Sequence, residues 1–453
     1  MKKRVIFIVV TALLCCLLVA CGSKTRLQAP QNIRQNGPFL IWDEVKNAEG
    51  YIVLADNEEY VTAEPSCNLS FLGGETVYVV KIKAVGDGEN FADSDWSEFG
   101  FNEIFKYTLL ADGSGYEVNL SVSSVELQDR KVVVPSTYEN LPVTRIADKM
   151  FYKCASLTEI VLPNTLKEIG ANAFYNCDAL ESIELPESVT AIGSGAFREC
   201  VALKKIVVSS GVECIAEEMF YECASLTEIV LPNTLKEIGV DAFYNCKALT
   251  SIELPESVTA IGPSAFMHCS SLKKIVVPTG IERIESNMFN DCTSLTEVVL
   301  PSMLKEIRGM AFFGCIALEN IELPASVTAI GSIAFGGCSS LKKIVVPTGV
   351  ERIEGSTFVG CSNLTEVVLP STLKEIMGMA FRKCEALKTV VLPSSLEDIG
   401  KDAFYMCPLE SVFFDGTEAE FLSVSVAEGN DSILSAAVYF LSLIHISEPT
   451  RLG

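Results

Sequence analysis

Histidine is nearly absent from this chain: its 453 residues hold two, His268 and His445. Catalysis by a Ser/His/Asp or Cys/His constellation would have to run through one of them, and no nucleophile motif accompanies either. Cysteine is plentiful at 17 residues. Yet no C-x-x-C pair occurs and no histidine stands at ligand spacing, so the pattern offers no zinc site, and no metal or cofactor is expected. A glycine-rich phosphate loop after a strand is missing too. Carboxylates abound without any spacing that singles out a glycosidase pair. Positive charge is scarce: 35 Lys and Arg stand against 58 Asp and Glu, a formal charge of −23. A surface of that sign repels phosphate backbones and argues against a nucleic-acid partner.

Long apolar runs are also rare. The one at Val5–Val19 follows Lys2, Lys3 and Arg4 and is short for a membrane span, which marks residues 1–20 as a targeting signal. The junction Leu18-Val19-Ala20-Cys21 resembles a bacterial lipobox, in which the cysteine is diacylated and becomes the mature N-terminus. Cys21 is thus the expected lipidation site, and two acyl chains suffice to anchor a soluble domain on the outer face of a membrane. The mature chain keeps 32 basic and 58 acidic side chains, a formal charge of −26.

What the chain does have is a strict period. Isoleucine recurs every 23 residues from Ile146 to Ile399, with Phe five residues after each (Phe151 to Phe404) and Cys three residues later. The cysteines are Cys154, Cys177, Cys200, Cys223, Cys246, Cys269, Cys292, Cys315, Cys338, Cys361, Cys384 and Cys407. Such a period signals a solenoid whose units bury their apolar faces by stacking on one another. Within a unit, "LTEIVLP" alternates as a short parallel strand stopped by proline, and A-F-x-x-C has helix-like spacing with room for about two turns. A cysteine fixed in every coil is expected in a buried, reduced ladder, acting as a small hydrophobe; some disulfide pairing between coils is the alternative. A longer beat of 69 residues overlies the first, as in "SLTEIVLPNTLKEIG" at Ser156 and Ser225.

The "AF-x-x-C" and "I-x-L-P" elements strongly resemble the BspA-like leucine-rich repeats of bacterial surface proteins. The resemblance covers about Ala111 to Phe440. It implies a leucine-rich repeat solenoid, one short parallel strand plus a short helical turn per coil. It also implies a role in adhesion to host or partner proteins, without naming a ligand.

Twelve repeats occupy residues 146–413. Residues 106–145 read as an N-terminal cap with a degenerate first coil, and 414–440 as a C-terminal cap in which Thr417 and Glu420 form a capping box and "NDSILSAAVYF" supplies a helix and a last strand. After a lipidated linker at 21–26, residues 27–105 look like a small all-β fibronectin type III module, with Trp42 in the core and "YVVKIKAV" as a central strand. The last thirteen residues, 441–453, fit neither period nor composition and resemble translated adapter sequence; a genuine tail is the alternative.

With chemistry unsupported, the surface carries the functional reading. On each strand the third position from the leading leucine should face outward, which places Lys205, Lys274 and Lys343 each beside the glutamate of the next coil. The fifth position forms a stripe with eight valines: Val161, Val207, Val230, Val276, Val299, Val345, Val368 and Val391. An exposed apolar stripe suggests a protein-binding face, although β propensity alone also favours valine there. The main expectation is a non-catalytic, lipid-anchored protein that binds a host-matrix or cell-surface protein through this face. The rivals are a structural spacer or self-associating envelope protein, then a glycan-binding protein. Oligomeric state is left open.

Overall fold

The structure, a computed structural model, describes residues 24–36, 39–55, 58–68, 79–100, 105–121 and 131–441. The targeting signal, Cys21 and all of the C-terminal tail after Leu441 lie outside these residues. The chain forms two compact units, one ending at Phe99 and one beginning at Gly100.

The first unit contains two main sheets. Arg34–Asn36, Phe39–Ile41 and Ser66–Asn68 make one of three strands. Glu58–Thr62, Gly50–Ala55, Val79–Val85 and Ser97–Gly100 make one of four, with Val79–Val85 in an interior position. Alternation drives its core: Tyr51, Val53 and Ala55 are buried on one strand, and Val80, Ile82 and Ala84 on its neighbour. Trp42 is also buried and meets Tyr51 edge-on at 5.2 Å. The Tyr51 hydroxyl accepts a 2.8 Å hydrogen bond from the Val45 N–H.

The second unit is a β-solenoid. Partner residues on adjacent coils lie 23 apart: Ile183 is opposite Ile206, which is opposite Ile229. Each coil contributes to two parallel ladders where the sequence suggested one. The first runs through three-residue strands such as Lys205–Val207; the second runs through two-residue strands such as Glu237–Ile238. Two residues are too few for an alternation pattern, so the second ladder leaves no periodic trace in sequence. In the middle of the array both ladders pair in blocks of three coils. Ser182–Glu184, Lys205–Val207 and Glu228–Val230 form one sheet, and Ser251 begins the next.

The A-F-x-x-C segment is a six-residue double turn and contains no helix. Two of its residues adopt left-handed backbone, Asn172 (φ 54°) and Asn176 (φ 55°) in one coil and their equivalents in the others. A helix needs every residue right-handed. Here the alternation turns every second N–H group the same way, toward the following coil, while those between close turns within their own coil. Asn172, Phe174 and Asn176 donate to the carbonyls of Ser194, Ala196 and Arg198 at 2.9, 2.8 and 2.8 Å. The turn is therefore a third hydrogen-bonded ladder.

The interior holds rows of identical residues. All twelve repeat phenylalanines are fully buried, stacked at centroid spacings of 5.1–5.8 Å from Phe151 to Phe404. Such contacts contribute roughly 0.5–1.5 kcal/mol per pair beyond burial.

Both ends are covered. Lys131–Val133 and Leu141–Ile146 give an extra first coil, with one strand on each ladder. The hairpin of Phe105–Leu109 and Tyr116–Leu120 extends the second ladder beyond it, and Tyr107 stacks on Tyr138 at 4.0 Å. At the other end helix α1 (Glu418–Ser423) carries the Thr417–Glu420 capping box, and helix α2 (Asp431–Ser435) precedes the last strand, Ala437–Phe440. Asn430 closes the turn ladder. Its Oδ1 accepts from the Phe404 N–H at 3.0 Å, and its Nδ2 donates to the carbonyls of Gly400 (2.9 Å) and Ala427 (2.8 Å).

Ile333 sits at one of the left-handed positions with φ 62°. A β-branched residue is strained there, whereas asparagine tolerates it. Ile333→Asn should raise the urea midpoint of the solenoid, by about 1 kcal/mol in stability. A lowered midpoint would mean that lost side-chain contact outweighs the relieved strain.

Candidate interaction surface

The first ladder presents its third and fifth strand positions outward, because the residue between them is buried in every coil. Each expected lysine finds its glutamate. Lys205 Nζ lies 2.6 Å from Glu228, Lys274 2.6 Å from Glu297, and Lys343 2.6 Å from Glu366. All six side chains are about half exposed, so each pair contributes about 0–1 kcal/mol and fixes charge placement more than stability. Val207, Val230, Val276, Val299, Val345, Val368 and Val391 are 41–47% exposed. Val161 differs from the rest in being half-buried.

The stripe extends further than the valine period indicated. Val391 is opposite Phe413, and Phe413 is opposite Tyr439, with their rings stacked at 5.0 Å. Phe413 follows Val391 at a spacing one residue short of the repeat, and Tyr439 lies beyond the repeats, so the 23-residue beat marks neither as facing out. Alternation within "SVFFD" was the signal available for Phe413.

The second ladder has its own charge pattern. Glu237, Ala260 and Arg283 recur as Glu306, Ala329 and Arg352, and Arg352 pairs with Glu375 on the next coil. Where backbone pairing lapses between Ala329 and Arg352, a cleft of about 640 Å³ opens, lined by Glu306, Thr328, Ala329, Gly331, Arg352 and Glu354 among others. His268 lies elsewhere, at a left-handed turn position, with Nδ1 3.5 Å from Asp291 and its ring edge-on to Tyr244. Among the described residues no cluster of His, Cys, Asp or Glu has the arrangement to hold a metal ion.

The repeat cysteines form one continuous column. All twelve are buried with free thiols. From the second onward, each thiol donates to the carbonyl of the phenylalanine in the preceding coil: Cys177 to Phe151 at 3.2 Å, through Cys407 to Phe381 at 2.9 Å. That carbonyl already accepts the cysteine N–H of its own coil, as Phe151 does from Cys154 at 3.1 Å. A thiol is a weak donor that is cheap to bury, so it satisfies the second lone pair without the desolvation a hydroxyl would incur. At the C-terminal end Ser432 takes over, its hydroxyl donating to the Phe404 carbonyl at 3.0 Å.

The chain is thus a repeat scaffold: stacked coils with a uniform interior and broad outward faces. It belongs to the BspA-type leucine-rich repeat region family, whose six-copy model matches residues 144–273, 213–335 and 305–423. Among solved structures it is similar to a leucine-rich repeat protein from Bacteroides ovatus, 29% identical, covering 72% of this chain and 90% of that one with a TM-score of 0.51. A leucine rich cell surface protein from Faecalibacterium prausnitzii is 25% identical, with coverages of 73% and 98% and a TM-score of 0.44. The leucine-rich repeat protein of T. pallidum is 29% identical, with coverages of 52% and 88% and a TM-score of 0.35. No curated protein matches the chain. Among the described residues no helix is long and apolar enough to cross a membrane.

Burial pushes the thiols of Cys154, Cys269 and Cys361 up to about 12. The Cys407 pKa is instead lowered, chiefly by its contact with the Cys384 thiol. The native state therefore keeps thiol protons that the unfolded chain releases above about pH 8.5. The contribution of these thiols should be level below that pH. Above it, stability should fall up to about pH 12, on the order of 1 kcal/mol per pH unit for each such thiol. A maleimide on the native protein should label exposed Cys214 quickly, Cys407 next, and the other repeat cysteines only in denaturant. Rapid labelling of the whole column at neutral pH would contradict the buried ladder.

Proposed function

We propose that this chain is a cell-surface lipoprotein that binds another protein through the outward face of its first ladder and performs no catalysis. The observation that carries the reading is the row of valines exposed to 41–47%, in the adjacent pairs Val207 with Val230, Val276 with Val299 and Val345 with Val368, separated by Glu253 and Glu322 and continued through Val391 to Phe413 and Tyr439. Strand propensity favours valine at these positions, and contiguous exposed apolar patches also mark interaction sites. The paired lysines and glutamates beside the row give a polar rim of fixed register. Family membership supports a binding role, because leucine-rich repeat scaffolds present broad surfaces to macromolecules; the fold alone does not name the ligand.

The remaining parts take supporting roles. Residues 1–20 would direct export and Cys21 would be acylated, holding the mature chain on the membrane with its solenoid outward. The three- and four-stranded sheets of the first unit, with buried Trp42, support a fibronectin type III-like spacer over 27–105. Residues 106–145 and 414–440 act as caps. A second reading, self-association, draws on one feature: the terminal strand Ala437–Phe440 ends its sheet, with Tyr439 46% and Leu434 67% exposed nearby. Light scattering of the soluble mature chain separates the two, since concentration-dependent assembly favours self-association.

Changing Val207, Val230, Val276 and Val299 together to lysine should leave the fold intact, because all four are exposed. The variant should keep the circular dichroism spectrum and lose by about tenfold or more the capture of whatever protein a pull-down with the wild-type ectodomain identifies. Unchanged capture would reject this face as the site.

A further inference from the structure

The 69-residue beat reaches the surface unevenly. On the first ladder, Glu184, Val207 and Val230 are adjacent fifth-position residues on three coils. The same three types recur at Glu253, Val276 and Val299, and again at Glu322, Val345 and Val368. Half-buried turn positions copied with them differ from block to block: Arg198 corresponds to Met267 and to buried Gly336, and Glu199 to His268 and Gly337. Backbone pairing divides the ladder at the same places, so each set of three occupies one hydrogen-bonded block.

Strand propensity explains the valines but not the glutamates, which strands disfavour. Nor do ion pairs explain them. Glu228, Glu297 and Glu366 are held by lysines, whereas Glu184, Glu253 and Glu322 are exposed and make no ion pair or side-chain hydrogen bond among the described residues. Each unit therefore combines one uncompensated carboxylate with two exposed valines, and units repeat every three coils, about 14 Å at ordinary strand spacing.

We propose that this face is three copies of one docking unit, and that its occupant is an extended basic–apolar polypeptide engaging two or three units at once. The proposal rests on the binding-face reading above and specifies the partner's chemistry. A lysine or arginine meets the free carboxylate and apolar side chains cover the valine pair. Weak contacts, each screened by salt, become useful affinity because the second and third form within one encounter.

The test uses the mature full-length chain and synthetic peptides with one, two or three modules of one lysine and two leucines. Modules recur every four residues, about 14 Å in an extended chain. A control of the same composition has its modules respaced. Calorimetry at low ionic strength should show about tenfold or more tighter binding per added module. Glu253→Lys in the middle unit should weaken the three-module peptide by about tenfold while leaving the one-module peptide within about twofold. Equal affinity for one and three modules, equal affinity for the respaced control, or no binding of the three-module peptide overturns the proposal. Should the peptides fail while the four-valine variant still loses its captured protein, the face remains the binding site and the three-unit reading alone falls.

Discussion

Every turn segment in the solenoid leaves three N–H groups pointing out of its own coil, and each finds its acceptor in the next coil. That obligation fixes the 23-residue period. A coil one residue longer would shift the carbonyls of Ser194, Ala196 and Arg198 away from the donors of Asn172, Phe174 and Asn176, leaving buried polar groups unpaired at about 1–3 kcal/mol each. The two β ladders tolerate interruption every third coil; the turn ladder runs from coil to coil without such breaks. Left-handed residues cost backbone energy at two positions per coil, and the structure keeps them because they aim those donors.

The phenylalanine and cysteine rows follow from the same geometry. Once the turns stack at one spacing, whatever occupies a given position lies above its counterpart, so a flat ring meets a flat ring. The phenylalanine carbonyl keeps one lone pair after serving its own turn, and a thiol in the following coil reaches it. Cysteine is suited on three counts at once: size, weak donation and tolerance of burial. With the interior uniform, the differences between coils lie mainly outside, where lysine–glutamate pairs, free carboxylates and valines are distributed.

Much of this is legible in the sequence because periodicity states it twelve times over. The buried rows, the extra first coil, the outward third and fifth strand positions and the Thr417–Glu420 cap can all be read from spacing. The turn conformation cannot: spacing of Ala, Phe and Cys fits one face of a helix, and handedness at Asn172 or Ile333 leaves no mark in apolar pattern. The second ladder escapes because two residues carry no alternation. Phe413 is offset from the beat by one residue and Tyr439 lies beyond the repeats, so their place in the stripe follows from strand register and not from the 23-residue period. The unpaired state of Glu184, Glu253 and Glu322 is likewise a matter of neighbours, since the chain holds many glutamates of identical local context.

Asn430 and Ser432 end the array with two side chains that imitate a missing coil, the amide standing in for a peptide group and the hydroxyl for a thiol. Neither depends on how many coils precede it. Unequal recombination between 69-residue blocks would splice matching surfaces and keep the same ending, so lengthening or shortening the molecule requires no new terminus. Solenoid length and the number of repeated surface blocks would then change together, in steps of three coils, within a single genetic event.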